Sequence, residues 1–139
     1  MYNDIIQVDM NEEMRLLEKY SNYYVLLDYW LKLLEDGKEL SIFFSNRKYK
    51  NIAIYGLGVL GKHLKKQLEN TDINVIYVVD SGNVEYDKKI FNLKKKVNEL
   101  PKVDVIVVTP LLEYETIKDY LNKEVFCDIV SLEEVILSI

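Results

Sequence analysis

Between Asn51 and Asp80 the chain carries an apolar strand, a turn with three glycines, an amphipathic helix and a second apolar strand ending in an acid. The stretch reads Asn51-Ile-Ala-Ile-Tyr-Gly-Leu-Gly-Val-Leu-Gly-Lys62, then a helical run, then Val75-Ile-Tyr-Val-Val-Asp80. Two parallel strands need a long crossover, and a helix is the usual one, so this order confines the segment to a βαβ unit. Leu60, Leu64 and Leu68 fall four apart on one face of the expected helix, while Lys62, Lys65, Lys66 and Glu69 lie elsewhere.

Each glycine has its own task in such a unit. Gly56 allows the tight turn off the strand, Gly58 lets backbone amides approach a diphosphate without an intervening Cβ, and Gly61 lets the helix pack closely on the sheet. The loop Gly56, Leu57, Gly58, Val59, Leu60, Gly61 is therefore the predicted anion-binding element, set at a helix N-terminus. Asp80 follows about 20 residues after the last glycine, where a carboxylate can accept from ribose hydroxyls. It would repel a 2′-phosphate, which favours NAD or another unphosphorylated ribose over NADP. The competing reading is a strand-to-helix turn in an α/β domain that binds nothing.

At 139 residues the chain can bury one core, with no room for a second, substrate-binding domain. Its net charge of −5, with acids and bases interspersed, argues against nucleic acid and anionic membrane as partners. No apolar run is long enough to span a bilayer, and the N-terminus, with Asp4 and Asp9, does not read as a signal peptide, so the expected location is the cytoplasm. The single cysteine, Cys127, excludes an internal disulfide and a cysteine-based zinc cluster.

Residues 1–47 read as a helical extension. Asp9-Met-Asn-Glu12 suits a helix start, and Leu16, Tyr20, Tyr23, Leu27, Trp30 and Leu34 recur at helical spacing up to a stop at Gly37. Leu17, Tyr24, Leu31 and Leu33 widen that face beyond a narrow seam. Two compatible readings follow: the helix packs on its own body, or residues 12–35 pair with a second copy to form a homodimer. Leu40, Ile42, Phe43 and Phe44 suggest a short helix that joins it to the first strand.

Beyond Asp80, Ser81-Gly-Asn-Val-Glu-Tyr-Asp-Lys88 reads as a polar loop beside the expected nucleotide. Ile90 and Phe91 suit a short third strand, and Leu93 to Leu100 a short basic helix ended by Pro101. Val103-Asp-Val-Ile-Val-Val108 reads as a strand buried on both faces, Pro110 as the first turn of a helix running to about Asn122, and Ile129-Val130 as a last strand. Ser131-Leu-Glu-Glu134 is a capping box, with Val135 and Ile136 turned inward. The expected fold is α/β: a doubly wound, mostly parallel five-stranded sheet in the order 3-2-1-4-5 over residues 48–139. Thr109 then ends the strand beside the first one, at the point where strand order reverses, and is a further candidate for contact with ribose or phosphate.

Other residues suggest enzymes less strongly. Tyr114 and Lys118 have the Tyr-x-x-x-Lys spacing of short-chain dehydrogenases, but follow the glycine turn too closely and match an exposed helix. His63, the only histidine, cannot by itself anchor a metal or a relay. Cys127 reads as buried filler, and Lys94, Lys95 and Lys96 as a solvated helix face.

The run from Lys50 to Asp80, with Lys89-Ile-Phe-Asn-Leu, Asn98-Glu-Leu-Pro-Lys-Val-Asp-Val-Ile-Val-Val-Thr-Pro110 and Ile129-Val-Ser-Leu-Glu-Glu134, resembles the small Rossmann-type domain of bacterial surface-polysaccharide enzymes. It is similar to the N-terminal domains of capsule-type nucleotide-sugar 4,6-dehydratases and of sugar acyltransferases, in which a catalytic domain follows. The resemblance implies binding of a nucleotide or nucleotide-sugar through Gly56, Gly58, Gly61 and Asp80, near glycan assembly, and transfers no catalytic residue. The leading expectation is thus a non-catalytic or accessory module for NAD or a nucleotide-sugar, working with glycan-biosynthesis enzymes. The alternatives are a small NAD-dependent oxidoreductase completed by dimerisation, an NAD-sensing regulatory domain, and an interaction module that has lost its ligand.

Overall fold

The computed structural model describes residues 2–92 and 100–139, the first nine of these by backbone alone. The order of elements is α1 (Tyr2–Glu35), α2 (Ser41–Asn46), β1 (Asn51–Tyr55), α3 (Val59–Leu68), β2 (Asn74–Asp80), β3 (Asn83–Tyr86), β4 (Lys89–Asn92), β5 (Val105–Val108), α4 (Tyr114–Glu124), β6 (Asp128–Ser131) and α5 (Leu132–Leu137). The expected basic helix over Leu93 to Leu100, with Lys94, Lys95 and Lys96, lies outside the described residues but for its last position.

The strands form one six-stranded sheet in the order β4-β3-β2-β1-β5-β6. Strands β2, β1, β5 and β6 run parallel to one another, whereas β3 and β4 join antiparallel at the β2 edge. This corrects the expected five-stranded 3-2-1-4-5 sheet. The physical reason lies in two turns. Ser81 and Gly82 have φ of 52° and 77°, and Asp87 and Lys88 have φ of 50° and 64°. Two consecutive residues with positive φ, closing Asp80 on Asn83 and then Tyr86 on Lys89, make two-residue hairpins whose twist matches that of the strands. Half of the supposed polar loop Ser81–Lys88 is therefore strand β3, and Ile90 and Phe91 lie in an antiparallel edge strand. Only Val84 of β3 is buried, which left the strand without the apolar alternation that announces one.

Alternation along the parallel strands sorts their side chains onto two faces. Ile52, Ile54, Val78, Val105, Val107 and Val130 face α3, α5 and the first two helices. Ala53, Tyr77, Val79, Ile106, Val108 and Ile129 face α4, where Leu121 covers them. Leu26, Trp30 and Leu33 of α1 and Phe43 and Phe44 of α2 belong to the first core, so the C-terminal half of α1 packs on the same body as the sheet. The Trp30 indole N–H donates to Gln67 Oε1 of α3 at 2.8 Å, which fixes the rotation of α1. Gly37, at φ 77°, ends α1 with Lys38 N–H on Leu33 O and Gly37 N–H on Leu34 O, the paired bonds of a Schellman stop.

Two element starts differ from the sequence reading. Helix α1 begins at Tyr2, so Asp9 lies inside it, and α4 begins at Tyr114, with Pro110 in the loop before it. The α5 start is as read: Ser131 Oγ accepts from Glu134 N–H at 3.0 Å, and Val135 and Ile136 are buried. Among the described residues no helix is long and apolar enough to cross a membrane.

Candidate functional site

Strand order reverses between β1 and β5, and the chain segments that leave their carboxyl ends are Gly56–Gly61 and Thr109–Glu113. Such a reversal leaves a crevice, because the two loops diverge to opposite faces of the sheet. The glycine loop is stitched down on both sides. Gly56 N–H donates to Val79 O at 2.7 Å and Leu57 N–H to Asp80 Oδ1 at 3.2 Å, while Thr109 Oγ1 donates to Gly56 O at 2.8 Å.

The three glycines divide into two kinds. At Gly56, φ is 101° and a Cβ would meet Thr109 Oγ1 at 2.6 Å and Pro110 Cδ at 2.8 Å. At Gly61 a Cβ would fall on the carbonyl oxygen of Gly56. Both are demanded by the protein's own packing. Gly58 is not: its φ is −76°, open to any residue, and a Cβ there would meet nothing within 4 Å. It is the N-cap of α3 without a side-chain cap, and the first helical bond is Lys62 N–H to Gly58 O. The amides of Gly58, Val59, Leu60 and Gly61 precede that bond and have no partner within the helix.

Asp80 is exposed at the end of β2, its carboxylate directed at the loop through Leu57 N–H. Leu57 packs against the first core, the Leu60 side chain is buried and that of Val59 is exposed. Leu60 can thus serve a ligand only through its backbone. Thr109 is buried at 3% exposure and also lies 3.2 Å from Tyr55 O, so its hydroxyl proton is committed to the β1 carbonyls. The structure brings the loop and Asp80 together and makes Thr109 the clamp beneath them. Sequence reading missed that clamp, although a threonine closing an all-apolar buried strand is the available signal.

The residues that suggested enzymes are placed apart. The Tyr114 hydroxyl donates to Ile129 O at 3.3 Å, and burial raises its pKa, opposed by Lys118. A dehydrogenase phenol needs the reverse. His63 stands edge-on to Trp30 at 6.2 Å between centroids. Cys127 is half-buried, and burial raises its thiol pKa. Among the described residues no three histidine, cysteine or acidic side chains are placed to hold a metal ion.

A cavity of about 620 Å³ opens at the other end of the sheet, between residues that include Tyr77, Val103, Asp104, Phe126 and Cys127. Its lining begins at Leu100, next to the undescribed residues, and it has neither a glycine loop nor a helix N-terminus. Chemistry therefore favours the carboxyl end over this cavity. No protein-family model, curated protein or solved structure matches this chain.

Proposed function

We propose that the chain is a nucleotide-binding module with no catalytic group of its own, taking NAD or a nucleotide-sugar on the loop Gly56–Gly61. The diphosphate lies over the α3 amides, and a ribose hydroxyl donates to Asp80. Gly58 carries the reading. A glycine that neither φ nor packing requires, at an uncapped helix start, is explained by a ligand that approaches the backbone closely. The resemblance to the small domains of surface-polysaccharide enzymes supports an accessory role beside separate glycan-synthesis enzymes.

A thermal-shift panel of NAD, NADP, UDP-sugars, CDP-glycerol, CoA and adenine nucleotides tests this. A ligand at about 100 times its dissociation constant stabilises the fold by about 2.7 kcal/mol, which moves the midpoint by several degrees. The expected result is a shift with an unphosphorylated-ribose nucleotide, a smaller one with NADP, and none in Gly58→Asp. That substitution supplies a capping carboxylate to the same amides, so the unliganded protein should gain a few tenths of a kcal/mol while phosphate is repelled. A shift that persists in Gly58→Asp, or no shift with any nucleotide, overturns the reading.

A further inference from the structure

Helix α1 presents two apolar faces, and the body covers only one. Leu26, Trp30 and Leu33 are buried in the first core. Leu26 and Leu33 follow Tyr24 and Leu31 by two positions, about 160° away around the helix. On that far side Leu17 is 69% exposed, Tyr20 58%, Tyr24 74% and Leu31 55%, while Leu34, at 38%, and Leu27, half-buried against the first core, line its border with the covered face.

These six positions, 17, 20, 24, 27, 31 and 34, are separated by 3, 4, 3, 4 and 3 residues. That is the a/d spacing of a coiled-coil seam, which asks for another helix as its cover. The spacing also reads the same in both directions. An antiparallel copy of the helix would therefore set Leu17 against Leu34, Tyr20 against Leu31 and Tyr24 against Leu27, each pairing repeated by the twofold axis. Such a seam is complementary to itself, as an isologous interface must be.

Area supports the same occupant. At about 200 Å² for a whole large side chain, the exposed fractions leave roughly 600 Å² of apolar surface per copy, close to the roughly 800 Å² per partner of a stable interface. It is also at the upper end of the largest patches, about 300–600 Å², that monomers leave in water. Charge does not oppose closure: Lys32 pairs with Asp28 at 3.0 Å on the same helix, and no charged residue occupies any of the six positions.

We propose that α1 is the dimerisation element of this protein, pairing antiparallel with α1 of a second copy through Leu17, Tyr20, Tyr24, Leu27, Leu31 and Leu34. The proposal is independent of the nucleotide site. Light scattering on the full chain should give a dimer that becomes a monomer in Tyr24→Glu, with thermal stability measured on both. Val25→Glu is the control: Val25 is 66% exposed on the same helix but off the seam, and this variant should stay dimeric. On a Cys127→Ser background, Leu17→Cys with Leu34→Cys should cross-link two copies under oxidation, whereas Leu17→Cys alone should not. A monomer at the highest attainable concentration, or a dimer that survives Tyr24→Glu, overturns the proposal. Efficient cross-linking by Leu17→Cys alone overturns the antiparallel pairing, since only parallel helices bring the two Leu17 positions together.

Discussion

The Thr109 hydroxyl donates to the carbonyl oxygen of Gly56 at 2.8 Å, joining the residue after β5 to the residue after β1. The crevice that strand reversal opens is thus pinned at its base by one side chain, buried at 3% exposure. The glycine turn keeps its shape through this bond and through Leu57 N–H on Asp80, so the loop is held without a ligand.

Removing that hydroxyl isosterically should show its worth. Thr109→Val leaves Gly56 O without its donor and should cost about 1 kcal/mol, with Thr109→Ser retaining most of the stability. Urea denaturation with an unchanged m-value is the measurement, and equal stability of the valine variant would show that the clamp is idle.

Glycines along the chain should differ sharply in what an added methyl does. Gly61→Ala puts its Cβ on Gly56 O, a backbone atom that cannot move without shifting α3 or the turn, and should cost about 3 kcal/mol. Gly82→Ala meets nothing within 4 Å, and its φ of 77° should cost only about 1 kcal/mol. Denaturation midpoints of the two variants in parallel check the contrast.

Trp30 ties α1 to α3. With 2% exposure and its N–H on Gln67, Trp30→Ala should lose about 4 kcal/mol, and Gln67→Leu, which orphans the indole donor, about 1 to 2 kcal/mol. Both should unfold in a single transition, because the C-terminal half of α1 shares the sheet's core. Calorimetry showing two transitions would make α1 a separate unit.

Two groups at the amino-terminal end of the sheet set opposite pH limits. The N–H groups of Asn51 and Lys50 donate to the Asp104 carboxylate and hold it below its ordinary 3.8, so its contribution is present above that value and lost as pH falls below it. Burial, with the bond to Asp128 at 2.6 Å, pushes Tyr49 from 10 up to about 12. That contribution is present below pH 10 and lost as pH rises from 10 through 12. Stability against pH should flatten on the acid side in Asp104→Asn and on the alkaline side in Tyr49→Phe. A tyrosinate absorbance titration reads the second group directly.

Much of the parallel core was legible because its signals are local and redundant. The runs at Ile52–Tyr55, Val75–Val79 and Val105–Val108 are continuous in apolar, mostly β-branched residues, and two of them border a glycine turn or a Thr-Pro stop. The edge was not legible for the opposite reason. Strands β3 and β4 bury one apolar side chain between them, Val84, where β5 buries all four of its residues, and their hairpins close on Ser81-Gly82 and Asp87-Lys88. Only the first of those turns contains a glycine, and lysine at positive φ is no turn signal at all.

What the order of residues determined alone is the βαβ unit, the stop at Gly37 and the Ser131 cap, since each is decided by spacing and backbone freedom within a few neighbours. Tertiary structure alone decided the rest. It set which stripe of α1 meets the body, because Leu26, Trp30 and Leu33 compete with an equally apolar seam and only the shape of the sheet's face selects between them. It also separated Gly58 from its two neighbours, because a glycine's necessity depends on what stands opposite its missing Cβ: Thr109 and Pro110, distant in sequence, at Gly56, and the folded-back carbonyl of Gly56 at Gly61.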